Sequence, residues 1–120
     1  MVDVSFYRLK MDGTDMSSRH QASILRAEIE QAVLSGNKAC VDFTSVLSVS
    51  HAFADEMFGV LAARHGLEWL TAHVTLHNTS SLVFRSLADA IHYRLSASEP
   101  AVPDAGLLQA RHLLEKRMRT

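Results

Sequence analysis

Apolar and polar positions alternate with a period of two at three places along the chain, and a helical period fills the stretches between them. Val2, Val4 and Phe6 alternate with Asp3, Ser5 and Tyr7, which predicts a strand with one buried face. Asp12-Gly13-Thr14-Asp15 has turn composition. Ser17 or Ser18 then caps a helix that runs to about Ser35, with Ala22, Leu25, Ile29, Ala32 and Val33 as its buried stripe. Gly36-Asn37 ends it, because glycine enters the left-handed conformation at little cost. Ala39, Val41 and Phe43 face one way and Lys38, Cys40 and Asp42 the other, predicting a second strand. A brief polar bend leads to a helix from about His51 to His65, with Phe53, Met57, Val60, Leu61 and Arg64 on one side and Gly66 at its end. Leu70, Ala72, Val74 and Leu76 set against Thr71, His73, Thr75 and His77 predict a third strand. Asn78-Thr79-Ser80 caps a helix reaching about Leu95, with Val83, Leu87, Ile91 and Leu95 toward the core.

Parallel strands buried on both faces are more uniformly apolar than these. The period of two therefore predicts helices packed mainly on one face of a small sheet of about four strands, the other face being partly open. Helical crossovers make the second and third strands parallel, and a hairpin elsewhere makes the sheet mixed. Residues 1–95 form the α/β domain. Residues 96–106 hold both prolines, Pro100 and Pro103, and read as a linker. Residues 107–120 form a C-terminal amphipathic helix with Leu107, Ala110, Leu114 and Met118 in a narrow stripe. That stripe docks on the chain's own sheet or on a second copy.

At 120 residues, with 48% apolar and 21% charged residues, the chain is of a size for one domain with one core. A net charge of −1 favours neither nucleic acid nor an acidic membrane. The single cysteine, Cys40, has no partner for an internal disulfide, and its strand position predicts a buried thiol. No apolar run approaches the ~20 residues of a membrane span, and the first residues lack the pattern of a secretory signal. A cytoplasmic location is the expectation.

The densest chemistry lies between Cys40 and Glu56. Asp42 stands at the carboxyl end of a strand, where α/β folds place ligands; it contacts a ligand there or caps the bend through the Thr44 or Ser45 amides. Ser50-His51-Ala52 opens a helix whose free N–H groups and dipole favour an anion, and Ser50 is a plain N-cap or a phosphoacceptor. Asp55 and Glu56 complement the dipole or belong to a docking face; adjacent helical positions point ~100° apart, so convergence on one ion is not expected. Asn78 and Ser80 repeat the strand-end, polar-cap, helix arrangement, so Asp42 would lie between two helix N-termini if the two strands are neighbours. Seven histidines raise a metal site, but His73 and His77, read as one strand, stand ~13 Å apart, beyond the reach of one zinc. No catalytic set, metal or cofactor is expected. Arg111, His112, Lys116, Arg117 and Arg119 outweigh Glu115 in the last helix, where cations complement the dipole or meet an acidic partner.

The stretch VDFTSVLSVSHAFADEMFG, Val41 to Gly59, resembles the core motif of the STAS-like domain family of unknown function. Leu25-Arg26 in the preceding helix and the strand ending near Asn78 also match, so the likeness covers roughly Val2 to Leu95. More distantly, the order of elements is similar to STAS domains, named for sulfate transporters and anti-sigma-factor antagonists. The resemblance implies a helix-covered sheet and a non-enzymatic, regulatory role in signalling through protein–protein contact. In the bacterial antagonists a partner kinase phosphorylates a serine at this helix start; here the aligned residue is Ala52, and Ser50 is the nearest hydroxyl. The resemblance also implies a histidine-kinase-type ATPase as partner. Two other functions fit the pattern: a small anionic ligand or nucleotide sensor at Asp42 and Asn78, and a toxin-neutralising immunity protein.

Overall fold

The computed structural model describes residues 5–96 and 114–118. Three parallel strands, β1 (Ser5–Lys10), β3 (Asn37–Asp42) and β5 (Val74–His77), form the main sheet in the order β1-β3-β5. Ser5 lies opposite Asn37 and Lys10 opposite Asp42, while Ala39 lies opposite Val74 and Asp42 opposite His77. A second, two-stranded parallel sheet joins β2 (Asp15–Met16) to β4 (Ser48–Val49). The arrangement agrees with the expected small α/β sheet, and among the described residues every strand pair is parallel, not mixed.

This register sorts the strand side chains into two faces. Leu9, Ala39, Val41, Val74 and Leu76 point to one side and are buried; with Phe43, Phe53, Met57, Phe58 and Leu61 they belong to one continuous core. Helix α1 (Arg19–Leu34) packs on β3, presents Ala22 and Ile29 to that core and also buries Ala32. Ser18 caps it, its hydroxyl accepting from the Gln21 amide at 3.1 Å, and Gly36 follows it at φ +89°. Helix α5 (Ser81–Ser96) buries Val83, Leu87 and Ile91. The other sheet face carries Phe6, Arg8, Lys10, Thr75 and His77. Phe6 was expected in the core and is instead 60% exposed. Its strand lies at the edge of the sheet and turns only Leu9 fully inward.

From the Ser50 cap to Gly66, residues 51–65 form one continuous helical run in three parts. They are α2 (His51–Ala54), a π-helical turn (Asp55–Gly59) and α3 (Val60–His65). Gly66 at φ +89° breaks the run, and the chain then enters a helix, α4 (Leu67–His73), where a strand was expected. Leu70 and Ala72 fit a helix as well as a strand: two apolar residues at spacing two do not discriminate, and Glu, Leu and Ala have high helix propensity. Leu70 accordingly donates its amide to the Gly66 carbonyl at 3.2 Å, and His73 Nδ1 bonds the Trp69 carbonyl at 2.8 Å. The expected strand spacing between His73 and His77 therefore does not apply, because only His77 lies in a strand.

The linker expected at 96–106 lies, apart from Ser96, outside the described residues, as do Arg111, His112 and Arg119. Residues 114–118 are helical. Leu114 and Met118 are buried in the core cluster of the same chain, whereas Lys116 and Arg117 are exposed. Among the described residues, no helix is long and apolar enough to cross a membrane.

Candidate interaction site

The central strand β3 ends on Asp42, and the backbone on either side is tied down by hydrogen bonds. The Asp42 carbonyl accepts from the Met11 amide, and the Phe43 amide donates to the His77 carbonyl, both at 2.9 Å. Asp42 Oδ1 accepts from the Thr44 amide at 2.9 Å, from the Thr44 hydroxyl at 2.5 Å and from Asn78 Nδ2 at 3.2 Å. Asn78 Nδ2 also reaches Thr44 Oγ1 at 2.9 Å. β3 and β5 are neighbours, so Asp42 and Asn78 do meet at the carboxyl edge of the sheet. They meet as a closed triangle with Thr44. Hydrogen bonds from Thr44 first and Asn78 second hold the Asp42 carboxyl below its ordinary pKa. Asn78 sits in the left-handed region at φ 56°, a conformation asparagine tolerates better than most residues.

The bend after Asp42 is stitched to the loop and β2 by hydrogen bonds: Leu47 and Ser48 amides to the Thr14 carbonyl, and the Ser50 amide to the Met16 carbonyl at 2.8 Å. Val46 and Val49 point inward and Leu47 outward. Ser50 then caps α2. Its hydroxyl accepts from the Phe53 amide at 3.0 Å and donates to the Ser17 carbonyl at 3.2 Å, joining the start of α2 to the start of α1. Ser80 does the same service for α5, accepting from the Val83 amide at 3.1 Å. Among the described residues, no hydrogen bond joins Ser50 or Ser80 to the Asp42 triangle. His51 is exposed and Ala52 half-buried. The His51 ring meets the ring of Tyr93 edge-on, with centroids 6.2 Å apart and planes at 79°, and Tyr93 is 62% exposed.

Asp55 and Glu56 depart most from expectation. Asp55 is only 5% exposed, so it belongs to the interior and not to a docking face. Its carboxylate takes two hydrogen bonds from Arg94, Nε at 2.6 Å and Nη2 at 2.8 Å, and a third from Arg19 Nη1 at 3.0 Å. The Arg94 bonds outweigh the desolvation of burial and lower its pKa to about 2. Glu56 pairs with Arg26, whose Nη1 also donates to the Glu56 carbonyl at 2.6 Å. Arg19 Nη1 lies 3.4 Å from Glu56 Oε1 as well, so the two acids do converge on one cation. Both contacts are made by the same nitrogen, so the ~100° between adjacent helical positions does not keep the two carboxylates apart. Arg19, Arg26 and Arg94 thus bind α1 and α5 to the π turn. The π turn and Gly59 belong to the same device: a Cβ on Gly59 would stand 2.9 Å from both Arg94 Cγ and Asp55 Oδ1 and 3.2 Å from the Ala90 carbonyl.

Against this geometry, the family comparison is decisive. The family model described as a STAS-like domain of unknown function matches residues 21–84, from the first turn of α1 into α5. The chain belongs to that family. No curated protein and no solved structure matches the chain. The matched span of the STAS-like domain contains Asp42, Ser50, Asp55, Glu56, Asn78 and Ser80 together with Arg26, and it stops short of Tyr93 and Arg94. Arg26 carries a sequence signal in the pair Leu25-Arg26. Arg19 and Arg94 carry none: neither stands in a motif, and nothing local sets them apart from Arg85 on α5.

Proposed function

We propose that this STAS-like domain is a non-enzymatic regulatory module that signals by protein–protein contact, with the surface around Ser50, His51 and Ala52 as its contact face. The observation that carries the reading is the pairing of His51 with Tyr93, an exposed aromatic couple beside the Ser50 cap. Exposed tyrosines of this kind anchor interfaces because they offer large contact area at little entropic cost. Support also comes from what the motif's carboxylates do. Asp42 is engaged by Thr44 and Asn78, and Asp55 and Glu56 by arginines, so the carboxylates of the stretch serve the fold. The same bonds weigh against an anion sensor at Asp42 and Asn78, because the donors there already face a carboxylate. The STAS resemblance supplies the partner class, an ATPase of the histidine-kinase type.

The test is affinity capture from the native cell with wild type, His51→Glu, Tyr93→Ser and, as a remote control, Glu68→Lys. One stoichiometric ATPase should be recovered with wild type and Glu68→Lys and lost with the other two. Equal recovery on all four, or turnover of a metabolite by the purified chain, overturns the reading. For the switch, Ser50→Asp should weaken capture far more than Ser50→Ala. Equal effects identify Ser50 as a cap alone.

A further inference from the structure

β1 is an edge strand of the main sheet. Among the described residues its only strand neighbour is β3, and five of its six residues are exposed. An edge of this kind presents a row of outward-facing backbone N–H and C=O groups to another strand. A hollow of about 300 Å³ lies across the open face of the sheet, reaching from β1 to β5, and another of about 300 Å³ lies between β1 and α1. One is lined by Phe6, Arg8, Cys40 and His77, and the other by Tyr7 with Glu28, Gln31 and Ser35 of α1. Side chains of an added strand would alternate between those two sides.

We infer that β1 is a docking edge for an acidic, extended peptide segment of a partner protein, which adds to the sheet as a further strand. Charge and polarity select that occupant. On the open face the exposed cations Arg8 and Lys10 stand two residues apart, with Lys38 on the neighbouring strand opposite Phe6. Asp42 lies opposite Lys10 and meets part of its charge, while its Oδ1 is engaged by Thr44 and Asn78. Alternate acidic residues of an added strand would fall beside Arg8 and Lys10. On the helix side Tyr7 donates to Glu28 at 2.9 Å, and that carboxylate disfavours a second acid, so the intervening residues would be apolar or neutral. A second copy of the chain is a poorer occupant: a two-fold β1–β1 seam would bring Arg8 and Lys10 of both copies together, and like charges across a strand pair repel. The main-chain bonds would supply affinity and the two hollows specificity. This inference stands apart from the His51–Tyr93 face, and neither depends on the other.

The probe is a fluorescein-labelled peptide of alternating glutamate and valine, measured by anisotropy against the full chain. Its controls are the lysine–valine analogue, the same glutamate peptide N-methylated at alternate residues, and a dT oligonucleotide. Expected is saturable binding of the glutamate peptide, at least tenfold weaker for the lysine and N-methylated forms. The double variant Arg8→Glu/Lys10→Glu should lose at least tenfold, while Arg64→Glu, a cation of α3, leaves binding unchanged. Far-ultraviolet circular dichroism of both variants separates loss of the edge from loss of the fold. Amide exchange should slow at β1 on binding. No binding, equal binding of the N-methylated peptide, tighter binding of the oligonucleotide, or self-association of the free chain through β1 overturns the inference.

Discussion

Arg94, in the fourth turn of α5, grips Asp55 of the π turn with two near-parallel hydrogen bonds of 2.6 and 2.8 Å. The pair joins residues 39 positions apart, and its two ends differ in environment. The Asp55 side chain is 7% exposed and that of Arg94 36%. Removing the arginine strands a buried carboxylate with Arg19 as its remaining partner, whereas removing the aspartate returns a guanidinium to water. Arg94→Ala should therefore cost about 3 kcal/mol and Asp55→Ala distinctly less. Urea unfolding of the two variants checks the order. The reverse order would mean that burial of Asp55 is not what the pair overcomes.

Gly59→Ala tests the same contact from the backbone side. Gly59 is helical, with φ −61°, so propensity alone makes alanine better by about 1 kcal/mol. The new methyl group, however, would press on Arg94 Cγ, Asp55 Oδ1 and the Ala90 carbonyl. Overpacking of this kind costs roughly 1–3 kcal/mol, and two of the three contacts are members of the ion pair. Steric cost should win, and the melting temperature should fall. The double variant Gly59→Ala/Arg94→Ala should be less destabilised than the sum of the two, because the arginine is then no longer there to be displaced.

The contrast between Gly59 and Gly36 shows how far the chain could be read unaided. Gly36 lies just after an amphipathic stripe, and that local position is enough to predict a helix end. Gly59 lies within a helix, and its reason is a neighbour from α5. The caps at Ser18, Ser50 and Ser80 were legible for the same local reason, as was the bond from Asp42 to the Thr44 amide. The Arg19–Asp55–Arg94 group was not, because its members come from three separate elements and no spacing connects them. β2 and β4 are two residues each, too short for any period to register. Leu70 was misassigned because its strand phase and its helix phase coincide with that of Val74.

At Ser50 the two hydrogen bonds of one hydroxyl can be separated. Ser50→Ala loses both the cap to Phe53 and the donation to the Ser17 carbonyl, and should cost about 1 kcal/mol. Ser50→Asp keeps a good cap acceptor but loses the donor, so its stability should lie between alanine and wild type. Thermal unfolding of the three proteins decides it. A Ser50→Asp variant no more stable than Ser50→Ala would show that the bond to Ser17, and not the cap, dominates.

Asn78 offers a similar separation. Its side chain reaches Asp42 and Thr44, and its backbone stands at φ 56°. Asn78→Gly removes the bonds and relieves the backbone; Asn78→Ala removes the bonds and adds the left-handed cost of roughly 1–2 kcal/mol. Alanine should therefore be the less stable by about that amount in chemical denaturation. Equal stabilities would mean that the strand end relaxes out of the left-handed region when the side-chain bonds go.

The acid limb of stability follows from Asp55. Its folded pKa, about 2, lies below its ordinary value of 3.8, mainly through the Arg94 hydrogen bonds. A depressed folded pKa means that the unfolded chain takes up the proton first. The contribution is thus complete above the ordinary value and is lost as pH falls from about 4 through about 2, amounting to about 2 kcal/mol. Glu56, held low by Arg26, and Asp42, held low by Thr44, act in the same direction. Wild type should therefore lose stability steeply across that window. Asp55→Asn should start lower at neutral pH and descend less, so that the two curves approach each other near pH 2. Parallel curves in urea unfolding at stepped pH would show that Asp55 keeps its ordinary pKa in the folded chain, and with it that the Arg94 contact is not maintained in solution.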